Sequence, residues 1–261
     1  MHDALEAYAL YQNDVSTLLD TDINRGNVDA ALSRLQRHDS ERVARGWIAY
    51  GALTAAQSPR FAAAIRDRVR QGRAPLLHAL RDDVTYARQQ QGAPAVHLIL
   101  SAASADDRRL ERAGARYDRF AHSAAGVGRS NTTSAELGGE TRLSAEMLDR
   151  LRGAGNVRST SLAYGSATYW DDLAGRDARG ARARVGREQN TYASVTDHML
   201  TLAALVVANA ASSERRRVRE LLDEPLTQQC MQMQRLQLRQ CISVSVDPGE
   251  RAYCLAHHGL N

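Results

Sequence analysis

The chain has 261 residues, which is enough for one large domain or two small ones. Apolar residues make up 43% of it and charged residues 25%, which is ordinary for a globular protein and excludes collagen-like and largely disordered classes. All 34 basic residues are Arg, and 30 acidic residues leave a formal charge of +4. Because the chain has no Lys, Schiff-base chemistry on a lysine side chain and a Lys-containing phosphate loop are excluded.

The exclusive use of Arg has two interpretations. A GC-rich bacterial genome would produce it through codon bias alone. The alternative is selection for guanidinium forks that pair with phosphate or carboxylate groups. The acidic residues are interspersed with the Arg residues, which favours the first interpretation.

The composition favours helices over strands. Alanine, the strongest helix former, occurs 43 times, while runs of Val, Ile, Thr and Tyr are scarce. We therefore predict an all-α protein, an irregular multi-helix bundle of about 9–11 helices with two long loop regions. Residues 1–261 are predicted to form a single helical domain, and the alternative is two sub-halves, 1–122 and 142–261, joined by a Gly/Ser-rich loop at 123–141.

Apolar residues in the N-terminal half recur at steps of three and four, as on one face of a helix. Helix starts are marked by capping residues and by Pro, which suits the first helical turn. The predicted starts are Asp3, the caps Asn27, Ser40 and Ser58, then Pro75, Pro94, and the acidic pair Asp106 and Asp107. The last of these helices is predicted to end at Phe120.

Two stretches interrupt this pattern. Residues 123–141 are rich in Gly, Ser, Thr and Asn, which predicts a loop. A short helix is predicted at 144–151, followed by a second irregular stretch at 155–189 with many Gly and Arg residues. Long irregular stretches in a compact domain are often functional, so 155–189 is a candidate region for a site.

Helices return in the C-terminal part. A buried helix is predicted from Asn190 to Ala211, but its apolar core is too short to cross a membrane. Two more helices are predicted at 214–223 and 226–242. The sequence Asp247-Pro248-Gly249 predicts a turn, and a short tail follows. The N-terminus shows no signal-peptide pattern.

The three cysteines, Cys230, Cys241 and Cys254, all lie near the C-terminus. The first two share one predicted helix and are about 16 Å apart along its axis, which is beyond disulfide reach. A bridge must therefore use Cys254, and Cys241 is its nearer partner in sequence. A Cys241–Cys254 bridge would tie down the tail and would indicate an oxidising compartment. The alternatives are three reduced thiols, or zinc on Cys254 with the two following His residues.

Few residues suggest chemistry. Asp171 and Asp172 follow Tyr164, Tyr169 and Trp170 in the irregular region. Carboxylates beside aromatics on a loop are typical of a carbohydrate-binding or peptide-binding site, and they also suit a loop anchored to the core. The adjacent pair of Asp197 and His198 is a further catalytic candidate, although neighbours on a helix point about 100° apart. No metal and no cofactor is expected.

Three functions remain as hypotheses. The preferred one is a non-catalytic helical interaction or structural protein, located in the periplasm or secreted, whose partner is another protein or a second copy of the chain. The alternatives are a helical hydrolase that acts on a polymer, with its site near 155–189, and an Arg-rich nucleic-acid binder. A cytoplasmic location is the alternative if no disulfide forms.

Overall fold

The computed structural model describes residues 1–126 and 195–260, which form eleven helices and no strand. The predicted all-α, irregular multi-helix bundle is thereby confirmed. The helices are α1 (His2–Asp20), α2 (Val28–Gln36), α3 (Ser40–Ala56), α4 (Pro59–Gln71), α5 (Arg73–Asp82), α6 (Tyr86–Gln89), α7 (Gly92–Gly126), α8 (Val195–Val207), α9 (Arg215–Leu222), α10 (Pro225–Ser243) and α11 (Pro248–His258). The predicted helix at 144–151 and the irregular stretch at 155–189 lie outside the described residues, as does most of the predicted loop at 123–141.

The described residues belong to two compact units. Unit 1 contains residues 1–9, 40–105 and 195–231, and unit 2 contains residues 10–39, 106–126 and 232–260. The expectation of a single domain stays a prediction. None of the described helices is both long enough and apolar enough to cross a membrane.

The core of unit 1 is built on close packing of α3 against α8. Helix α8 is almost entirely buried, and its apolar residues include Met199, Leu202 and Leu205. Helix α3 presents small residues to it, and a Cβ atom added at Gly51 would overlap the Met199 side chain. Because glycine has no side chain, the two helices approach closely enough to pack without a gap.

The core of unit 2 joins α2 and α11 to parts of α1, α7 and α10. Val15 and Leu18 of α1 are buried with residues of the other four helices. The Cys241–Cys254 disulfide lies in this cluster with a Cα–Cα distance of 5.6 Å, as the sequence predicted, and Cys230 is a free thiol. The bridge joins the end of α10 to the middle of α11.

The end of the chain differs from the prediction of a turn and a short tail. Asp247 caps α11, because its Oδ1 accepts hydrogen bonds from the backbone N–H groups of Gly249 at 2.6 Å and Glu250 at 3.2 Å. Pro248 occupies the first helical position, where it needs no hydrogen bond. An Asp-Pro-Gly sequence can begin either a turn or a helix, and burial of the following apolar residues selects the helix here.

Helix α7 corrects a second prediction. The sequence predicted that Asp106 and Asp107 cap a separate helix, but both lie inside a helix of 35 residues that continues through Ser123 to Gly126. Asp106 forms an ion pair with Arg109 one turn later. Nothing between Pro94 and Asp106 breaks the helix, so the two predicted segments fuse.

The break between α5 and α6 also has a physical cause. The apolar pattern of this region predicted one continuous helix from Pro75 onward, whereas α5 begins at Arg73 and ends at Asp82. The carbonyl oxygen of Val84 accepts a hydrogen bond from the Thr201 hydroxyl at 2.7 Å. This contact with α8 gives the freed backbone group a partner outside the helix.

Candidate functional site

Among residues 1–126 and 195–260, the largest cluster of charged side chains around one buried group lies in unit 2, on Asp14 of α1. The Asp14 side chain is 1% exposed. Its carboxylate accepts hydrogen bonds from Arg37 Nη2 at 2.8 and 2.6 Å, from Arg37 Nε at 3.2 Å and from Arg34 Nη1 at 3.3 Å. The His38 Nε2 atom lies 2.6 Å from Asp14 Oδ2. We call Asp14, Arg34, Arg37, His38 and Arg235 the Asp14 cluster.

The fold of α2 positions the donors of this cluster. Val28, Ala31, Leu32 and Leu35 are buried, so the helix is fixed against the core by its apolar face. Its last residues therefore carry the basic side chains toward α1 at the helix C-terminus, where positive charge is favourable.

Arg235 of α10 completes the cluster from the other side. Its Nη1 donates to the carbonyl oxygen of His38 at 2.8 Å, and its Nη2 donates to that of Gln36 at 3.3 Å. These are carbonyl groups at and just beyond the end of α2, which lack partners within the helix. The His38 ring packs edge-on against Tyr11, with ring centroids 5.6 Å apart.

The electrostatics of the cluster keep its carboxylate ionised. Burial raises the pKa of Asp14, but hydrogen bonds from His38, Arg37 and Arg34 outweigh it and lower that pKa below the ordinary range. Burial, with a smaller effect from the charge of Asp106, raises the pKa of Tyr11 to about 12. An ionised carboxylate held by two guanidinium groups is a weak proton acceptor, so the cluster is suited to fixing positive charge rather than to moving protons.

No local pattern in the sequence predicts this cluster. Asp14 lies 20 to 24 residues from Arg34, Arg37 and His38, and no motif links them. One sequence feature did point to it. Asp14 lies next to Val15 on the apolar face of α1, and a carboxylate buried there needs a hydrogen-bond or ion-pair partner.

The predicted catalytic candidates of unit 1 have a different arrangement. Asp197 is buried, and its Oδ1 accepts a hydrogen bond from Arg88 Nε at 2.5 Å. The Nη2 atom of Arg88 also donates a hydrogen bond to the Thr196 hydroxyl oxygen. The ion pair fastens α6 to the start of α8. His198 follows Asp197 on α8 and is half-buried.

The remaining predicted site residues lie outside the described part of the chain, so their grouping stays a prediction. They are the catalytic candidates Asp171 and Asp172 and the binding candidates Tyr164, Tyr169 and Trp170.

The zinc alternative at the C-terminus is not supported by the geometry. Cys254 is bonded to Cys241 and therefore offers no thiolate. His257 stacks on Tyr253, and its Nε2 lies 2.8 Å from Asp118 Oδ1. Within residues 1–126 and 195–260, no group of three or more His, Cys, Asp or Glu side chains could hold a metal ion.

The consecutive arginines Arg215, Arg216 and Arg217 of α9 have contacts within unit 1. Arg215 donates a hydrogen bond from Nε to the Ser212 carbonyl oxygen at 3.2 Å. Arg217 donates one from Nε to the Leu80 carbonyl oxygen at 3.2 Å. The Nε atom of Arg216 lies 3.5 Å from a carboxylate oxygen of Glu220, one turn along the helix. Positive charge in a first helical turn is unfavourable, and these contacts offset part of that cost.

Comparison with known proteins adds no relative: no family model matches the chain, and no curated protein or solved structure is significantly similar to it.

Proposed function

We propose that the protein is a non-catalytic helical interaction or structural protein, whose partner is another protein or a second copy of the chain. The observation that carries the proposal is the hydrogen bonding of the buried carboxylates. Among the described residues these are Asp14, Asp197, Glu224 and Glu250. Each of them accepts hydrogen bonds that fasten one part of the fold to another or fix the start of a helix.

The two buried glutamates have the same structural use as the two aspartates. Glu224 accepts hydrogen bonds from the backbone N–H groups of Leu226 at 3.1 Å and Thr227 at 2.6 Å, which satisfies the start of α10. Glu250 accepts a hydrogen bond from the backbone of Val246. A general acid needs a pKa raised toward neutral, whereas the hydrogen bonds on Asp14 lower the pKa of that carboxyl group.

The disulfide supports export as part of the proposal. Cys241 and Cys254 are fully buried and bridged, and such bonds persist in oxidising compartments. We therefore propose that the protein acts in the periplasm or outside the cell, with α11 tied to α10.

The proposal is tested by chemical cross-linking of the oxidised protein in the envelope fraction of its own host, followed by mass spectrometry. We expect saturable cross-links from defined positions of the chain to one protein, or to a second copy of the chain. The purified protein is assayed in parallel for cleavage of envelope polysaccharide, peptidoglycan and protein. Multiple turnover of any of these polymers would overturn the proposal and favour a hydrolase with its site at 155–189. Tight, salt-dependent binding of DNA or RNA without any protein partner would favour the nucleic-acid alternative.

A further inference from the structure

We propose that Arg34 and Arg37, held in place by Asp14, form a binding site for carboxylate groups on an acidic segment of a partner protein. This inference rests on the proposed interaction function and names the surface and the chemistry of the partner. The site lies entirely within unit 2, at the C-terminal end of α2.

Both guanidinium groups have unused donors. Arg34 reaches Asp14 through Nη1 alone, and its Nε and Nη2 atoms have no hydrogen-bond partner among the described residues. Arg37 uses Nε and Nη2, which leaves Nη1 without one there. The two side chains are 39% and 59% exposed, so solvent and a ligand can reach these donors.

The local charge favours an anion. Arg34 and Arg37 bind the Asp14 carboxylate, whereas Arg235 binds two carbonyl oxygens at the end of α2. The Asp14 cluster therefore holds three guanidinium charges against one carboxylate charge, which leaves two positive charges in excess within it. The C-terminus of α2 contributes roughly half a negative charge, which balances only part of this excess. Asp39 follows at the surface and has an interaction of its own.

The site is also preorganised. Long Arg side chains normally lose rotamer freedom when they bind a ligand, which weakens the binding. Here the buried Asp14 carboxylate and the contact with His38 already restrict the basic end of α2. An incoming carboxylate therefore meets donors that are partly ordered, and a guanidinium fork matches its two oxygens.

A protein segment fits this site better than a nucleic acid. The site offers two exposed guanidinium groups at one helix end, whereas a nucleic acid presents regularly spaced phosphates and is bound by an extended basic stripe. Acidic residues are interspersed with the arginines in this unit, among them Asp29, whose carboxylate lies 2.6 Å from Arg251. An acidic segment needs to place only two or three carboxylates at this one helix end.

The test is fluorescence anisotropy at low salt with a labelled oligo-glutamate peptide and the oxidised full-length protein. Arg34→Gln/Arg37→Gln should weaken binding by about tenfold or more, because two charge-assisted pairs are lost. The matched control is Arg108→Gln/Arg112→Gln, which removes the same charge from exposed positions of unit 2 and should stay within about twofold of the parent.

The single variant Arg34→Gln guards against unfolding, because Arg34 makes only one contact with Asp14. This variant should keep the helical content of the parent protein, and it should bind the peptide severalfold more weakly. Equal loss in the control pair, or unchanged binding in the Arg34 and Arg37 variants, would overturn the inference. Binding of a labelled oligonucleotide in place of the peptide, with the same dependence on Arg34 and Arg37, would overturn it too. If cross-linking still identifies a protein partner through another surface, the proposed function stands while this site does not.

Discussion

Replacing Cys241 and Cys254 by alanine should lower the free energy of unfolding of unit 2 by about 4 kcal/mol. The bridge spans a sequence separation of 13 residues, and closing a loop of that size removes about 3 kcal/mol of entropy from the unfolded chain. Both residues are fully buried, so loss of the sulfur atoms adds a packing cost on the order of 1 kcal/mol. For a unit of this size, such a loss is a large part of the total stability.

The assay is native-state hydrogen exchange by mass spectrometry in increasing urea. Peptides from α11 and the end of α10 should lose protection first in the double variant, while those from α3 and α8 in unit 1 should change little. The control is Cys230→Ala, which alters a free, half-buried thiol and should leave α11 protected. Identical protection of α11 with and without the two cysteines would refute the view that the bridge holds this helix.

Three further predictions concern single residues. Arg88→Ala should lower the melting temperature of unit 1 and cost about 3 kcal/mol, because it leaves the buried Asp197 carboxylate without its cation; retention of parental stability would show that the pair is dispensable. Gly46→Ala should cost about 1–3 kcal/mol in urea unfolding, since the new Cβ would overlap the backbone oxygen of Ala4; an unchanged midpoint would contradict that close approach. Because the pKa of Asp14 is lowered in the folded state, its stabilisation is present above the unfolded pKa and is lost as pH falls through the folded value. Asp14→Asn should therefore be less stable than the parent at neutral pH, and the difference should shrink below about pH 4; a difference that is constant with pH would contradict this.

Much of the fold follows from local rules in the sequence. The start of α4 at Ser58 and Pro59 was predictable because Pro fixes the first helical turn, although the Ser58 side chain makes no capping hydrogen bond. The use of Cys254 in any bridge followed by elimination, since two cysteines eleven residues apart on one helix cannot meet, and Cys241 was favoured as its nearer partner in sequence. These predictions needed only distances along the chain.

Other features depend on tertiary contacts that no local pattern contains. Whether Asp247 begins a turn or a helix depends on the burial of α11, and the sequence favoured the wrong choice. The Asp14 cluster requires α2 to fold back against α1 and α10 to deliver Arg235, so its members were not recognisable in advance. For the same reason Asp197 was a catalytic candidate on the basis of its neighbour, whereas its ion-pair partner Arg88 is 109 residues away.

The central claim is that the buried carboxylates of the described chain are structural ion pairs and caps, and Asp14 tests it most directly. A carbon-13 NMR titration of the Asp14 carboxyl group measures its pKa in the folded protein. The donors from His38, Arg37 and Arg34 predict a pKa below the ordinary aspartate range. A pKa raised above that range would contradict the account, because Asp14 beside His38 would then be a proton donor of the kind that an enzyme uses.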